Sequence, residues 1–266
     1  MGNALFIVWR ESVEAMLVIG VLYAWVRRNG GRGLGALWMG TAAGAALAAL
    51  LGWAMVATQD ELSGSALEWF QLAMLLAAAG LIVQMVLWMQ RHGRHMKREL
   101  ESGLEKAAAR AGSAGIAVIA ALAIAREGAE TAIFLYGLGL ADGGARMALG
   151  AAIGLGLALL TAWIVSRGLG LLDYRKFFRV SGALLLLFAA ALLSSAVDRL
   201  IGGGWLPALV DPLWNSAAVL DDASPAGALF AAFTGYRARP SLMLAAIYAL
   251  YWIAVLLTRR RLARHA

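Results

Sequence analysis

The chain contains no cysteine, which excludes disulfides and thiolate-held metal sites. Histidine is almost as scarce. His92, His95 and His265 are the three in 266 residues, and all lie outside the long apolar runs. The Glu-x-x-His pairs on which di-iron carboxylate bundles rely are therefore missing from those runs. Charged residues make up only 15% of the chain, fewer than a soluble domain of this length carries. A basic leader is lacking too. Met1-Gly2-Asn3 has no lysine or arginine, and the first apolar run already holds Glu11 and Glu14, so no cleavable signal peptide is expected.

What the chain does have is apolar length. Hydrophobic residues are 62% of it, and mean hydropathy is +0.74. This composition implies an all-α polytopic membrane protein with one transmembrane domain over 1–266. Seven runs are long enough to span a bilayer at about 1.5 Å per residue. They cover about 3–26, 34–57, 66–89, 114–140, 146–167, 178–200 and 241–258. The net charge of +7 reads as a topology determinant, not as nucleic-acid binding, because the basic residues cluster in short loops. Arg27, Arg28 and Arg32 lie in the first loop, six Lys and Arg residues between Arg91 and Arg110 in the third, and Arg175, Lys176 and Arg179 in the fifth. The second loop is acidic, with Asp60, Glu61 and Glu68, and the tail ends Arg259-Arg260-Arg261. This alternation predicts an N-terminus outside and a C-terminus in the cytoplasm. His92 to Arg110 reads as a charged surface helix. His92-x-x-His95 has a metal-compatible spacing but sits among Arg and Lys.

Two apolar runs break the pattern in the same way. The first holds Arg10-Glu11-Ser12-Val13-Glu14 and the fourth Arg126-Glu127-Gly128-Ala129-Glu130. A charge at mid-membrane costs about 2.5–3.5 kcal/mol on insertion scales and marks a functional site by default. At about 100° per residue, the Arg and both Glu of each motif share one helix face. If the two faces meet, Glu11, Glu14, Glu127 and Glu130 line one cavity, with Arg10 and Arg126 offsetting part of the charge. Carboxylate oxygens in a net-negative cavity suit a hard cation. A purely structural salt-bridge cluster is the competing reading. It is disfavoured because buried ion pairs often stabilise no better than apolar residues of the same volume.

The duplication extends past the motifs. Gly40, Gly44, Leu47, Ala48, Leu50 and Trp53 align without gaps on Gly150, Gly154, Leu157, Ala158, Leu160 and Trp163. The third and sixth runs align weakly, chiefly Phe70 on Phe178. The expectation is a 3+3 inverted repeat plus one C-terminal helix: repeat one about 3–89, repeat two about 114–200, an external loop about 201–240, and a last helix about 241–258. Inverted repeats typify secondary transporters, with substrate bound near the midplane. In the external loop, Asp221 and Asp222 are candidates for collecting cations, or else a solvated turn before Pro225.

The paired motif resembles the signature of the oxidase-dependent iron transporters, Arg-Glu-Gly-x-Glu on the first and fourth membrane helices. This family includes the fungal high-affinity ferric permease and bacterial EfeU-type and FtrC-type permeases. The second copy matches fully; the first has Ser12 where glycine is usual. Trp88-Met89-Gln90-Arg91-His92, Gly235-Tyr236 through Pro240-Ser241, and Tyr251-Trp252 are also similar to the family. Fungal members carry an external Asp-Ala-Ser-Glu; here Asp222-Ala223-Ser224 is followed by Pro225. The resemblance implies a permease, not an enzyme, that moves ferric iron across the cytoplasmic membrane. Its metal ligands would be Glu11, Glu14, Glu127 and Glu130, supported by Arg10 and Arg126, with iron as transported substrate and no permanently bound cofactor. Implied partners are a periplasmic ferroxidase and cupredoxin-like or peroxidase-like delivery proteins, with no nucleic acid. The alternatives are a transporter of another divalent cation such as manganese, a proton-driven exporter, or a membrane di-iron carboxylate enzyme.

Overall fold

The computed structural model describes residues 2–92, 96–142, 144–166 and 174–264. Their regular elements are all α-helices: α1 (Gly2–Arg28), α2 (Leu34–Glu61), α3 (Gly64–His92), α4 (Met96–Asp142), α5 (Gly144–Ser166), α6 (Tyr174–Gly202), α7 (Pro225–Thr234) and α8 (Leu242–Arg264). Six of them, α2 to α6 and α8, are long and apolar enough to cross a membrane. At 27 residues α1 is as long, and Arg10, Glu11 and Glu14 are what set it apart. The protein is an all-α polytopic membrane protein. His95 and His265 fall outside the described residues, so the His92-x-x-His95 pair does too.

Two elements depart from the sequence reading. Several helices overrun their apolar cores, so Asp60 and Glu61 close α2 and Glu68 opens α3; the acidic loop shrinks to Leu62-Ser63. The external loop contains α7, whose ends the sequence encodes. Ser224 caps it by accepting from Gly227 N, Pro225 follows at the first turn, and Gly235 stops it with φ 75°.

The chain forms two compact units, Met1–Gly64 with His92–Asp173, and Ser65–Arg91 with Tyr174–Ala266. The first holds α1, α2, α4 and α5. Its α1–α2 turn, Asn29 to Gly33, reverses the chain on three glycines with φ of 86°, 71° and 114°, a region closed to most side chains. The long α4 breaks at Gly112 (φ 56°, ψ −132°). A Cβ on Gly115 would lie 2.2 Å from the Ala107 carbonyl oxygen, whereas eight residues of straight helix span about 12 Å. The chain therefore folds back sharply at Gly112. The segment 96–111 is the expected charged helix, and 113–142 is the span. Leu100, Leu104 and Ala108, at i, i+4, i+8, pack with Val18, Leu22 and Val26 of α1, Leu37 of α2, and Ile116 and Ala120 of α4. Arg28 pairs with Glu101 at 2.5 Å beside this cluster.

Small residues set the helix spacing. A Cβ on Gly40 would meet Ala117 O at 2.2 Å, and one on Gly44 would meet Ala121 O at 2.5 Å and Ala125 N at 2.9 Å. Ala48 faces Gly128, and Gly52 faces Ala132. Contacts that advance together along both chains make α2 and α4 parallel. On the other side a Cβ on Gly154 would meet Leu5 O at 2.4 Å and Trp9 N at 3.1 Å, and Trp9 Nε1 donates to Thr161 Oγ1 at 3.1 Å, so α5 runs parallel to α1. Ala121 and Ala125 stand five and one residues before Arg126; Leu5 and Trp9 stand five and one before Arg10. The aligned glycines Gly44 and Gly154 thus touch the two motif helices at the same offsets. Burial follows the same alignment. Across 41–50 and 151–160 it differs only at Ala48, half-buried, and Ala158, buried. The aligned pairs Leu47/Leu157, Leu50/Leu160 and Trp53/Trp163 are all exposed, as side chains facing lipid would be.

The second unit holds most of α3, with α6, α7 and α8. Leu185, Leu186, Phe188 and Ala189 of α6 are almost wholly buried. Tyr251 of α8 donates to Leu186 O at 2.7 Å, and Tyr248 to Thr234 O at 2.9 Å. The connection from α7 to α8 is fastened by Arg237 Nε, which donates to Asp198 Oδ2 at 2.7 Å.

Candidate metal centre

The motif faces of α1 and α4 meet inside the first unit. The C-terminal half of α1 (Val18, Leu22, Val26) packs with the start of the α4 span (Ile116, Ala120, Ala123), while Glu11 and Glu14 approach Glu127 further along. Moving back along α1 is thus moving forward along α4, so the two helices are antiparallel. Helix spacing then delivers the carboxylates: on α1 the charges at 10, 11 and 14 fall on the face that also buries Ile7 and Val18.

Glu11, Glu14 and Glu127 each offer an oxygen to one point, with the three oxygens within 4.8 Å of one another. Arg10 braces the first two. Its Nη1 lies 2.6 Å from Glu11 Oε1, and its Nη2 forms an ion pair with Glu14 Oε1. Arg10 and Glu11 are each 1% exposed and Glu14 is 6%, so this is a charged cluster in the protein interior. The second motif is arranged differently. Arg126 Nε donates to Glu130 Oε1 at 3.0 Å, and its side chain is 49% exposed. Glu130 is buried but stands outside the three-carboxylate point. Of the four expected ligands, the structure gathers three at one point and puts the fourth on the neighbouring turn.

The chemistry of this set is that of a hard-cation site. Four glutamates face two guanidinium groups, a formal excess of two negative charges. Glu11 Oε2, Glu127 Oε2 and Glu130 Oε2 are buried without a hydrogen-bond partner among the described residues. A buried acceptor left unmade costs about 1–3 kcal/mol, more when charged, and a cation drawing on those oxygens removes the deficit. All donors are oxygens, which suits hard ions over soft ones.

Asp221 and Asp222 belong to the second unit, where both carboxylates are engaged locally. Asp221 Oδ1 accepts from Ala223 N at 3.0 Å, and Asp222 Oδ2 from Ala238 N at 3.3 Å. The Asp221 carbonyl also accepts from Ser224. The Asp221 bonds are those of a capping turn, which explains why the residue after Ser224 is Pro225 at a helix start, while the Asp222 bond ties that turn to the segment after α7. Two polar residues near the motif of α1 went unread in the sequence. Asn3, 3% exposed, precedes Ile7 and Glu11 at four-residue spacing and so shares their face of α1. Thr161 ties α5 to Trp9, next to Arg10. A lone polar residue in phase with the glutamates was the available signal for Asn3.

Comparison with known proteins identifies the family. A model of the iron permease FTR1 family matches residues 1–260. The ferrous iron permease EfeU of Escherichia coli O6:K15:H31 (strain 536 / UPEC) is 29% identical over 253 residues, 94% of this chain and 92% of that protein. The ferrous iron permease EfeU of Shigella sonnei (strain Ss046) gives the same values. That of Yersinia pestis is 28% identical over 254 residues, 94% of this chain and 90% of its own length. No solved structure matches. With the family model spanning nearly every residue, both charged motifs included, this chain belongs to the iron permease FTR1 family.

Proposed function

We propose that this protein carries iron ions across the cytoplasmic membrane into the cell, and that Glu11, Glu14 and Glu127 are its iron ligands. The observation that carries the reading is the trio itself, Glu11 and Glu14 buried and Glu127 partly buried: three carboxylate oxygens within 4.8 Å of one another, more negative charge than the arginines offset, and orphaned oxygens among them. Arg10 limits the repulsion and fixes the carboxylates on α1. The relatives are named as permeases, which fits transport without catalysis. Loop charge predicts an N-terminus outside and a C-terminus in the cytoplasm.

The family resemblance led to ferric iron handed over by a periplasmic oxidase system, whereas the relatives are named for ferrous iron. An all-oxygen site accepts either ion. The transported form is therefore set by what is supplied at the outer face, ferroxidase with a cupredoxin-like or peroxidase-like carrier being the delivery we propose for ferric iron. The test is uptake of radioactive iron into proteoliposomes holding the full chain, with iron kept ferrous by ascorbate or supplied as ferric citrate, and manganese as competitor. Iron accumulation that a tenfold excess of manganese leaves in place supports the proposal. Equal uptake of manganese would replace it with a general divalent-cation transporter.

A further inference from the structure

The two motifs carry the same charges at the same spacing, yet they are not equivalent in the molecule. Arg10 is buried against two glutamates of its own motif, while Arg126 is half exposed and draws Glu130 aside. The antiparallel crossing of α1 and α4 gives this difference a direction. Glu14 and Glu127 both reach the three-carboxylate point. Three residues back on α1 and three forward on α4 place Glu11 and Glu130 on one side of them, about 4.5 Å along the helix axes. The four carboxylates therefore make two tiers, Glu14 with Glu127 and Glu11 with Glu130. The trio observed takes the whole of one tier and Glu11 from the other. Exchanging the first motif for the second converts it into Glu127, Glu130 and Glu11.

We infer that the centre comprises two overlapping cation stations, Glu11-Glu14-Glu127 and Glu11-Glu127-Glu130, and that the ion crosses by exchanging Glu14 for Glu130. The inference rests on the iron reading above and adds a route to it. Glu11 and Glu127 stay on the ion throughout, so it moves a few ångströms without shedding all its protein ligands. The arginines choose the station. In the arrangement described, Arg10 keeps Glu11 and Glu14 together at the first station while Arg126 holds Glu130 apart; in its counterpart Arg126 keeps Glu127 and Glu130 together and Arg10 holds Glu14 apart. Two observations besides the acidic cluster support the second station. Glu11, Glu127 and Glu130, the three residues of the second station, each have an Oε2 that is buried and without a hydrogen-bond partner among the described residues, just as each residue of the first station has such an oxygen. Gly44 and Gly154 also press on α4 and α1 at matching offsets, so the backbone frame is the same whichever motif supplies two ligands.

The experiment compares equilibrium binding of ferrous iron, kept reduced and anaerobic, with uptake into proteoliposomes. The variants are Glu11→Gln, Glu14→Gln, Glu127→Gln, Glu130→Gln and the double Glu14→Gln/Glu130→Gln, each as the full chain. The shared ligands should be indispensable: Glu11→Gln and Glu127→Gln lose binding by more than about a hundredfold, and uptake with it. Glu14→Gln and Glu130→Gln should each keep one station, with binding weakened by less than about tenfold and uptake reduced by more than about a hundredfold. The double variant should lose both. Equal loss of binding in all four single variants would overturn the handover in favour of one four-carboxylate site. Uptake by Glu130→Gln at the wild-type rate would remove Glu130 from the route. Either result leaves iron transport standing, whereas a wild-type chain that neither binds nor moves iron overturns both.

Discussion

Arg10 and Arg126 hold the same place in the two motifs and opposite places in the molecule: the side chain of Arg10 is 1% exposed and that of Arg126 is 49%. Arg10 neutralises two carboxylates in a dry setting, while Arg126 draws one glutamate aside from a partly open position. The two should therefore fail differently when removed. Arg10→Ala leaves Glu11 and Glu14 uncompensated, and breaking a buried pair costs about 3–5 kcal/mol. Its abundance in the membrane should fall several-fold, while Arg126→Ala accumulates close to normal levels. Lysine at position 10 should restore abundance only in part, because it keeps the charge but not the planar fork that reaches two carboxylates. Quantitative immunoblotting of membrane fractions distinguishes these outcomes, and equal abundance of the two alanine variants would contradict the burial difference.

Neutralising a ligand should act on transport and spare the fold. Glu127→Gln keeps the side-chain volume and removes one like charge from a crowded site, relieving repulsion. Its thermal midpoint in detergent should equal or exceed that of the wild type, while iron uptake is lost. A variant that fails to accumulate would instead mark Glu127 as part of a structural ion-pair cluster.

The packing glycines allow a matched test of the frame around the site. Gly44→Ala and Gly154→Ala each drive a methyl group to about the same distance from a backbone oxygen, 2.5 Å at Ala121 and 2.4 Å at Leu5. Backbone cannot step aside as a side chain does, so each should cost about 1–3 kcal/mol and slow uptake. Gly156, on the same helix as Gly154, has nothing within 4 Å of its would-be Cβ. Gly156→Ala should be neutral or stabilising by up to about 1 kcal/mol through helix propensity. Thermal unfolding of the three variants in detergent checks the contrast; equal midpoints would mean that the glycine contacts do not set the helix spacing.

Much of this architecture was legible from residue pattern alone. Apolar length marked the spans, and the Arg-Glu-x-x-Glu spacing placed three charges on one face of α1 and of α4, because helical periodicity is a local property. The gapless alignment of Gly44 on Gly154 anticipated matching contacts for the same reason: small residues at fixed spacing let backbones approach. Local rules also account for α7, since Ser224-Pro225 and Gly235 are its start and stop, yet a ten-residue apolar helix inside a loop rich in Ala, Leu and Trp has too little periodicity to stand out. The unequal fates of Arg10 and Arg126 were illegible in principle. The motifs are equal in charge and spacing, and only the packed state decides which arginine is enclosed. The same holds for Asp222, whose carboxylate is engaged by the Ala238 N–H that only the folded loop brings near.

Orientation is open to a direct check. Reporters fused after Gly31, in the turn between α1 and α2, and after Ala266 should both read cytoplasmic, while an epitope at Val219, 89% exposed, should be reachable from outside intact spheroplasts. A periplasmic signal from either fusion would reverse the topology that loop charge predicts.

The central claim is that iron occupies the carboxylates of α1 and α4 on its way through the protein. The most direct measurement is anomalous diffraction at the iron edge from crystals of the full chain grown with iron. The account predicts a peak among Glu11, Glu14 and Glu127, absent in crystals of Glu11→Gln prepared the same way. A peak beside Asp221 and Asp222 alone, with the Glu11-Glu14-Glu127 trio empty in a chain that still transports iron, would contradict it.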